Sequence, residues 1–211
     1  MITHLGGKVY RDWNFEVDGN SSASAGAVIW LTGLAGSGKT TVAEILADRW
    51  RERGVHPIRL DGDLMREVLD RRGGYDSDSR MKMGFTYGRF ACALAQQRHL
   101  VIVSTISLFH AVQRWNRQHV PRYCEVLLDV PLPELRKRDK KGLYSAADPK
   151  WVVGLGQSAQ FPERPDAVIE NHGSMSPHRA AGRIIEKFDE LFSTHSRAAL
   201  NLTHRSKEKM R

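Results

Sequence analysis

Gly33-Leu-Ala-Gly-Ser-Gly-Lys-Thr40 decides how this chain folds. Ahead of it, Ala27 to Leu31 is a short apolar run. Behind it, Thr40 to Arg53 places Val42, Ile45, Leu46 and Trp50 at helical spacing and stops at Gly54. Strand, glycine loop and helix in that order let backbone N–H groups curl inward around phosphate oxygens, and the helix N-terminus adds a partial positive charge. The eight residues match the pattern G-x-x-x-x-G-K-[ST]. Gly33, Leu34, Ala35, Gly36, Ser37, Gly38, Lys39, Thr40 and Thr41 are therefore the expected nucleotide-binding residues. In such a loop the lysine, Lys39, reaches the β- and γ-phosphates, and Thr40 offers its hydroxyl to Mg²⁺, so ATP and Mg²⁺ are the expected cofactors.

Working outward, strands and helices keep alternating. His56 to Leu60 reads as a second strand and Arg80 to Gln97 as a helix. Leu100 to Ile106 has the unbroken apolar character of a strand buried on both faces. Val112 to His119 is helical, Cys124 to Val130 a strand, Leu132 to Arg138 helical and Ala167 to Ile169 a short strand. Ser176 caps a last helix with Pro177 at its first position, running to about Phe192. The pattern predicts an α/β, P-loop nucleoside-triphosphate hydrolase-like three-layer fold with a mostly parallel central sheet. Residues 139–165 break the rhythm and read as a lid loop. The expected domains are an extension over 1–26, a kinase domain over 27–193 and a basic tail over 194–211.

Bulk properties narrow the class. With 211 residues, 41% hydrophobic and 27% charged, the chain suits one α/β domain with short extensions. No stretch of about 18 apolar residues occurs, and Met1 to Tyr10 does not read as a signal peptide, so no membrane partner is expected. Cys92 and Cys124 each sit in an apolar run, outside any paired spacing, and read as buried thiols; a reducing cytoplasm fits. The net charge is +8, and the tail carries half of it: Arg197, Arg205, Lys207, Lys209 and Arg211 against Glu208. No aromatic residues interleave those charges as a stacking platform would need, so the tail reads as a solvated terminus and no nucleic-acid partner is expected. A homodimer is left open. The nine histidines show no metal spacing.

A P-loop alone does not choose between a motor, a switch and a small-molecule kinase. The chain leaves no room for an effector domain and has no guanine-type Asn-Lys-x-Asp, so a kinase for a small acceptor fits best. Asp61-Gly-Asp63 falls at the carboxyl end of the second strand, where open α/β sheets bind ligands. Asp61 there can orient a hydroxyl and accept its proton, whereas Asp63 alone would satisfy a helix N-cap. Arg66 and Arg80, on either side of the turn-like Gly73-Gly-Tyr-Asp76, could clamp an anion. His110 reads as a surface residue at a helix start and Trp115 as core.

Several segments together resemble the adenylylsulfate kinase family: Gly33 to Thr41, Leu60-Asp-Gly-Asp-Leu-Met-Arg66, Val103-Ser-Thr-Ile-Ser107 and Arg138-Asp-Lys-Lys-Gly-Leu-Tyr144, with weaker support from Phe161-Pro-Glu-Arg-Pro165. The resemblance runs from about Val28 to Asn171. It implies transfer of the γ-phosphoryl group of ATP to the 3′-hydroxyl of adenylylsulfate. It further implies that Asp61 activates the hydroxyl, that Arg66 and Arg80 bind the acceptor, and that Arg138 and Lys141 close over the phosphates from the lid; from their places beside these residues, Asp63 and Tyr75 are expected acceptor contacts too. Ser107 falls on a serine described in the family as a phosphorylated intermediate. In-line transfer to a positioned hydroxyl needs no such intermediate, and a role in shaping the acceptor pocket suits it better.

The chain departs from the family pattern at Met83, at Ser107-Leu-Phe109, at Val152-Val-Gly154 and at Ser158-Ala-Gln160. The lid aromatic of the family is missing unless Trp151 replaces it. The departures fall on the acceptor side. The run Leu108 to Arg117 also resembles a divergent branch, some of whose members act on cytidine diphosphoramidate. A nucleotide-binding module without transferase activity is the distant alternative.

Overall fold

The computed structural model describes residues 3–5, 8–10, 26–69, 74–139, 142–145 and 150–208, with side chains described between residues 26 and 192. The expectation for Lys141 lies outside the described residues. Near the start, β1 (Thr3–Leu5) and β2 (Lys8–Tyr10) pair antiparallel, with Thr3 opposite Tyr10.

The main sheet is built from β3 (Ala27–Thr32), β4 (Ile58–Asp61), β5 (Leu100–Ser104), β6 (Tyr123–Asp129) and β7 (Ala167–Glu170). Their order is β4-β5-β3-β6-β7 and every pairing is parallel. The P-loop strand β3 is therefore central, fully buried along its length. Strand side chains alternate between faces, and each face has its own core. Ile29 and Leu31 pack under α1 (Lys39–Glu52) and α6 (Pro177–Glu208), against Leu46, Ala181 and Ile184. Val28 and Trp30 point the other way, toward Tyr87, Ala91 and Cys92 of α3 (Ser77–Gln96) and Val112 of α4 (His110–His119). Both cysteines are buried, and burial pushes their pKa up, to about 11 at Cys92 and about 12 at Cys124.

Four elements differ from the sequence expectation. A short α2 (Gly62–Val68) follows β4 directly, capped by Asp61 rather than Asp63: the Asp61 carboxylate accepts from the amides of Asp63 and Leu64. Helix α3 begins at Ser77, not Arg80, because Asp76 caps it by accepting from the Ser79 amide at 2.9 Å. Strand β5 ends at Ser104, after which the chain turns away through Thr105–Phe109 into α4. Helix α6 starts as expected, with the Ser176 hydroxyl accepting from the Arg179 amide, but runs to Glu208. No glycine or proline stands between Gly182 and Arg211 to end it. Helix α5 (Leu132–Arg138) is as read from the sequence. Trp115 is half-buried, edge-on to Phe85 and stacked on His119. No described helix is long and apolar enough to cross a membrane.

Candidate active site

A cleft of about 1020 Å³ opens at the carboxyl ends of the strands, and the P-loop forms its floor. Helix α1 has Gly38 as its N-cap, with no side-chain cap and no acidic residue in its first turn. Its leading amides thus keep their partial positive charge for an anion. Gly38 is at φ 90, and a Cβ there would lie 2.6 Å from Asn171 Nδ2, so both conformation and space require glycine. Lys39 folds back over the loop and donates to Leu34 O at 2.7 Å, Gly33 O at 3.0 Å and Ser37 Oγ at 3.3 Å.

Asp61 stands across from the P-loop at the end of β4. Its Oδ2 accepts from Thr40 Oγ1 at 2.8 Å and Ser104 Oγ at 2.7 Å, while Oδ1 accepts from the Asp63 amide at 3.0 Å. Burial pushes the Asp61 pKa up, but the bonds from Ser104, Thr40, Asp63 and Leu64 outweigh it and hold the carboxyl below its usual 3.8. Asp61 is thus a fixed carboxylate joined to the P-loop hydroxyl. Asp63 lines the same cleft from the first turn of α2.

Beyond Asp61, the Arg66 and Arg80 guanidiniums lie over the Tyr75 ring, 5.1 and 5.3 Å from its centroid. Arg80 also donates from Nε to Tyr75 O and from a terminal nitrogen to Trp151 O, tying the α3 start to the lid. Burial, and then the Arg66 charge, push the Arg80 pKa down. An anion set between the two cations relieves that repulsion.

Ser107 is buried and its Oγ has no hydrogen-bond partner, so no base touches it. Its φ of 22 is rare for a residue with a side chain. The hydroxyl abuts Gly84 of α3, where a Cβ would collide with it. Met83, Leu108 and Val152 line this half of the cleft.

Most described residues expected from the sequence line this one cleft, Arg138 among them, while Gly33, Leu34 and Ser37 stay in the loop beneath it. The family resemblance assigns Arg138 to the lid and helical spacing assigns it to the end of α5; it ends α5 and donates to Asn171 O at 2.8 Å. Asn171 escaped sequence reading altogether. It is buried and donates to Ser37 O at 2.7 Å, and so braces the P-loop from behind. Asp139 and Tyr144 lie inside a stretch quoted above but had no assigned task. Asp139 accepts from the amides of Leu143, Tyr144 and Ser145, and the Tyr144 hydroxyl donates to Ala35 O at 2.8 Å. Val152 and Tyr144 pack with Leu34, Ala35 and Leu135, so apolar contact seats the lid on the P-loop.

The fold and this cleft define a P-loop phosphotransferase that acts on a small acceptor with an alcohol group. The sequence model of the family described as adenylylsulphate kinase matches residues 25–170, and the chain belongs to that family. It is 41% identical over 147 residues to the cytidine diphosphoramidate kinase of Campylobacter jejuni, spanning 68% of this chain and 85% of that one. It is 37% identical over 164 residues to an adenylyl-sulfate kinase of Pseudomonas aeruginosa, spanning 75% and 83%. The APS kinase of Mycobacterium tuberculosis, solved in complex with AMPPNP and APS, superposes with a TM-score of 0.71 at 29% identity, spanning 78% of this chain and 98% of that one.

Proposed function

We propose that the chain transfers the γ-phosphoryl group of ATP to the ribose 3′-hydroxyl of adenylylsulfate. The observation that carries this reading is Asp61, a carboxylate bonded to the P-loop hydroxyl of Thr40 on one side and flanked by Arg66 and Arg80 on the other. It supports a reading in which an acceptor hydroxyl is oriented between a phosphate cradle and a cationic clamp. Arg66 and Arg80 hold the anionic tail of the acceptor, Asp61 aligns its hydroxyl, and Lys39 swings from the loop carbonyls to the transferring phosphoryl oxygens. Arg138, beside Asn171, faces the nucleotide from the far side of the loop, and Ser107 shapes the acceptor wall. The lid residues Tyr144 and Val152 exclude water, which protects ATP from hydrolysis.

The donors at the head of α1 are hard oxygens, the Thr40 hydroxyl and the Asp61 carboxylate 2.8 Å apart, which fit Mg²⁺. Among the described residues no group of three or more His, Cys, Asp or Glu is placed to hold a metal, so phosphate oxygens and water would complete the shell. Held by Thr40, with Asp61 behind it, Mg²⁺ would neutralise charge on the β- and γ-phosphates.

A second reading keeps the chemistry and changes the acceptor to cytidine diphosphoramidate. Two observations favour it: the 41% identity to a kinase of that name, and an acceptor half lined by Met83, Leu108 and Val152, where the chain departs from the adenylylsulfate pattern. ADP release from Mg-ATP, measured with each acceptor in turn, tests both. Turnover with adenylylsulfate supports the first reading, and turnover with the cytidine compound alone replaces it with the second. ATP binding without release under either condition leaves only a binding module.

The acceptor wall gives a sharper expectation. Gly84→Ala adds a methyl group that must push Ser107 aside, although alanine is intrinsically the better helix former. The KM for the acceptor should rise roughly tenfold with the KM for ATP unchanged, the signature of lost binding on one side of the cleft. Steady-state kinetics in both substrates check it, and an equal rise in both KM values counts against an acceptor wall at Ser107.

A further inference from the structure

Helix α4 begins badly for its sequence. Its N-cap is Phe109, whose side chain makes no cap hydrogen bond. An uncapped helix start leaves amides without partners. The remedy comes from 50 residues away: Gln160, on the returning limb of the lid, accepts from the His110 amide through Oε1 at 2.8 Å. The same residue donates its own amide to Leu108 O at 3.1 Å. Its carbonyl accepts from Nε2 of the buried Gln113, one turn along α4, at 2.8 Å. Two bonds from one residue therefore bracket Leu108–Phe109–His110, immediately after Ser107, and a third ties that residue to Gln113.

That bracket answers a question the acceptor wall poses. Ser107 holds a φ of 22 with an unpartnered, buried hydroxyl, and such a conformation persists only where the surroundings over-determine it. On one side α3 presses close at Gly84. On the other, Leu108 and the start of α4 are pinned by Gln160. We propose that Gln160 is a positioning residue for the acceptor: it caps α4 across the chain and so fixes the Ser107–Phe109 wall to the lid. Seating of the lid and shaping of the acceptor wall are then one event. This rests on the reading of the cleft as a kinase acceptor site.

The test compares Gln160→Leu, which removes the cap at similar size, with Gln160→Glu, which keeps an oxygen acceptor that a helix N-terminus favours. The leucine variant should raise the acceptor KM roughly five- to tenfold, the scale of one lost cap, with the ATP KM within about twofold. The glutamate variant should restore the parent value. Hydrogen exchange at the His110 amide, read without substrates, should speed up in the leucine variant and not in the glutamate variant. Unchanged exchange, equal shifts in both KM values, or failure of glutamate to rescue overturns the proposal. A parent protein that turns over neither acceptor removes the kinase reading and the positioning role together. A working parent with an indifferent leucine variant removes the positioning role alone.

Discussion

Lys39→Ala should lower kcat for phosphoryl transfer about a thousandfold, the upper range for removing one preorganised donor from a developing anion. The reason is geometric. Lys39 donates to Leu34 O, Gly33 O and Ser37 Oγ, so its ammonium is already at the loop that receives the β- and γ-phosphates. Moving onto those phosphates exchanges bonds with neutral loop oxygens for bonds with charged ones, which add the attraction of opposite charges. Alanine cannot supply that charge. Arginine is not a repair either, since its planar fork differs in shape from a compact ammonium. The fold should tolerate the change, because the core under α1 is made by Val42, Ala43, Leu46 and Trp50 and not by Lys39. The check is single-turnover transfer alongside a thermal melt. Retained transfer would mean that the phosphate cradle is misread, and a collapsed melt would assign the loss to folding.

What could be read from the sequence follows from how local each signal is. Strand β3 and helix α1 are legible because apolar run, glycine loop and helical spacing all occur within about two dozen residues of Gly33, and β5 and β6 because each is itself a short, nearly unbroken apolar run. Helix α2 was not: seven residues give barely two turns, and Leu64 and Val68 are exposed, so no apolar face marks it. Polarity hid the length of α6. A basic segment reads as solvated, yet helix formation needs only the absence of breakers once Ala180, Ala181, Ile184 and Phe188 anchor the first half.

The site divides the same way. Lys39, Thr40, Asp61, Arg66 and Arg80 lie in short motifs, and the structure gathers them around one cleft. Asn171 and Gln160 act through partners far along the chain, Ser37 in one case and Leu108, His110 and Gln113 in the other, and no local pattern points to them. Arg138 reads both ways, because helical spacing ends at it while its motif continues into the lid. Its bond to Asn171 O is a contact no spacing announces. The positive φ of Ser107 had no glycine to flag it. Its conformation is set by Gly84 and by the bracket on the following residues.

Asp61 has two tasks, and two substitutions separate them. It caps α2 through the amides of Asp63 and Leu64, and it presents a negative charge between Thr40, Ser104 and the acceptor. Asn keeps most of the cap and loses the charge, while Ala loses both. Both variants should therefore lose roughly a hundredfold or more in kcat with ATP binding intact. Only the alanine variant should also lose stability, by about 1 kcal/mol for the cap. An unchanged kcat in Asp61→Asn removes the charge from the mechanism. The pH dependence follows from the sign of the shift. The Asp61 pKa lies below its usual value of 3.8, so the carboxylate is already ionised at every pH where the fold is comfortable. Asp61 then orients the hydroxyl and gains the proton only as the phosphoryl group arrives, and kcat should show no acid limb from this residue between about pH 5 and 8. Its contribution to stability is fully present above the unfolded value and is lost as pH falls through the lower folded value. An acid limb near neutrality that disappears in Asp61→Asn would mean that Asp61 titrates during catalysis, and that the bonds from Thr40 and Ser104 do not survive acceptor binding.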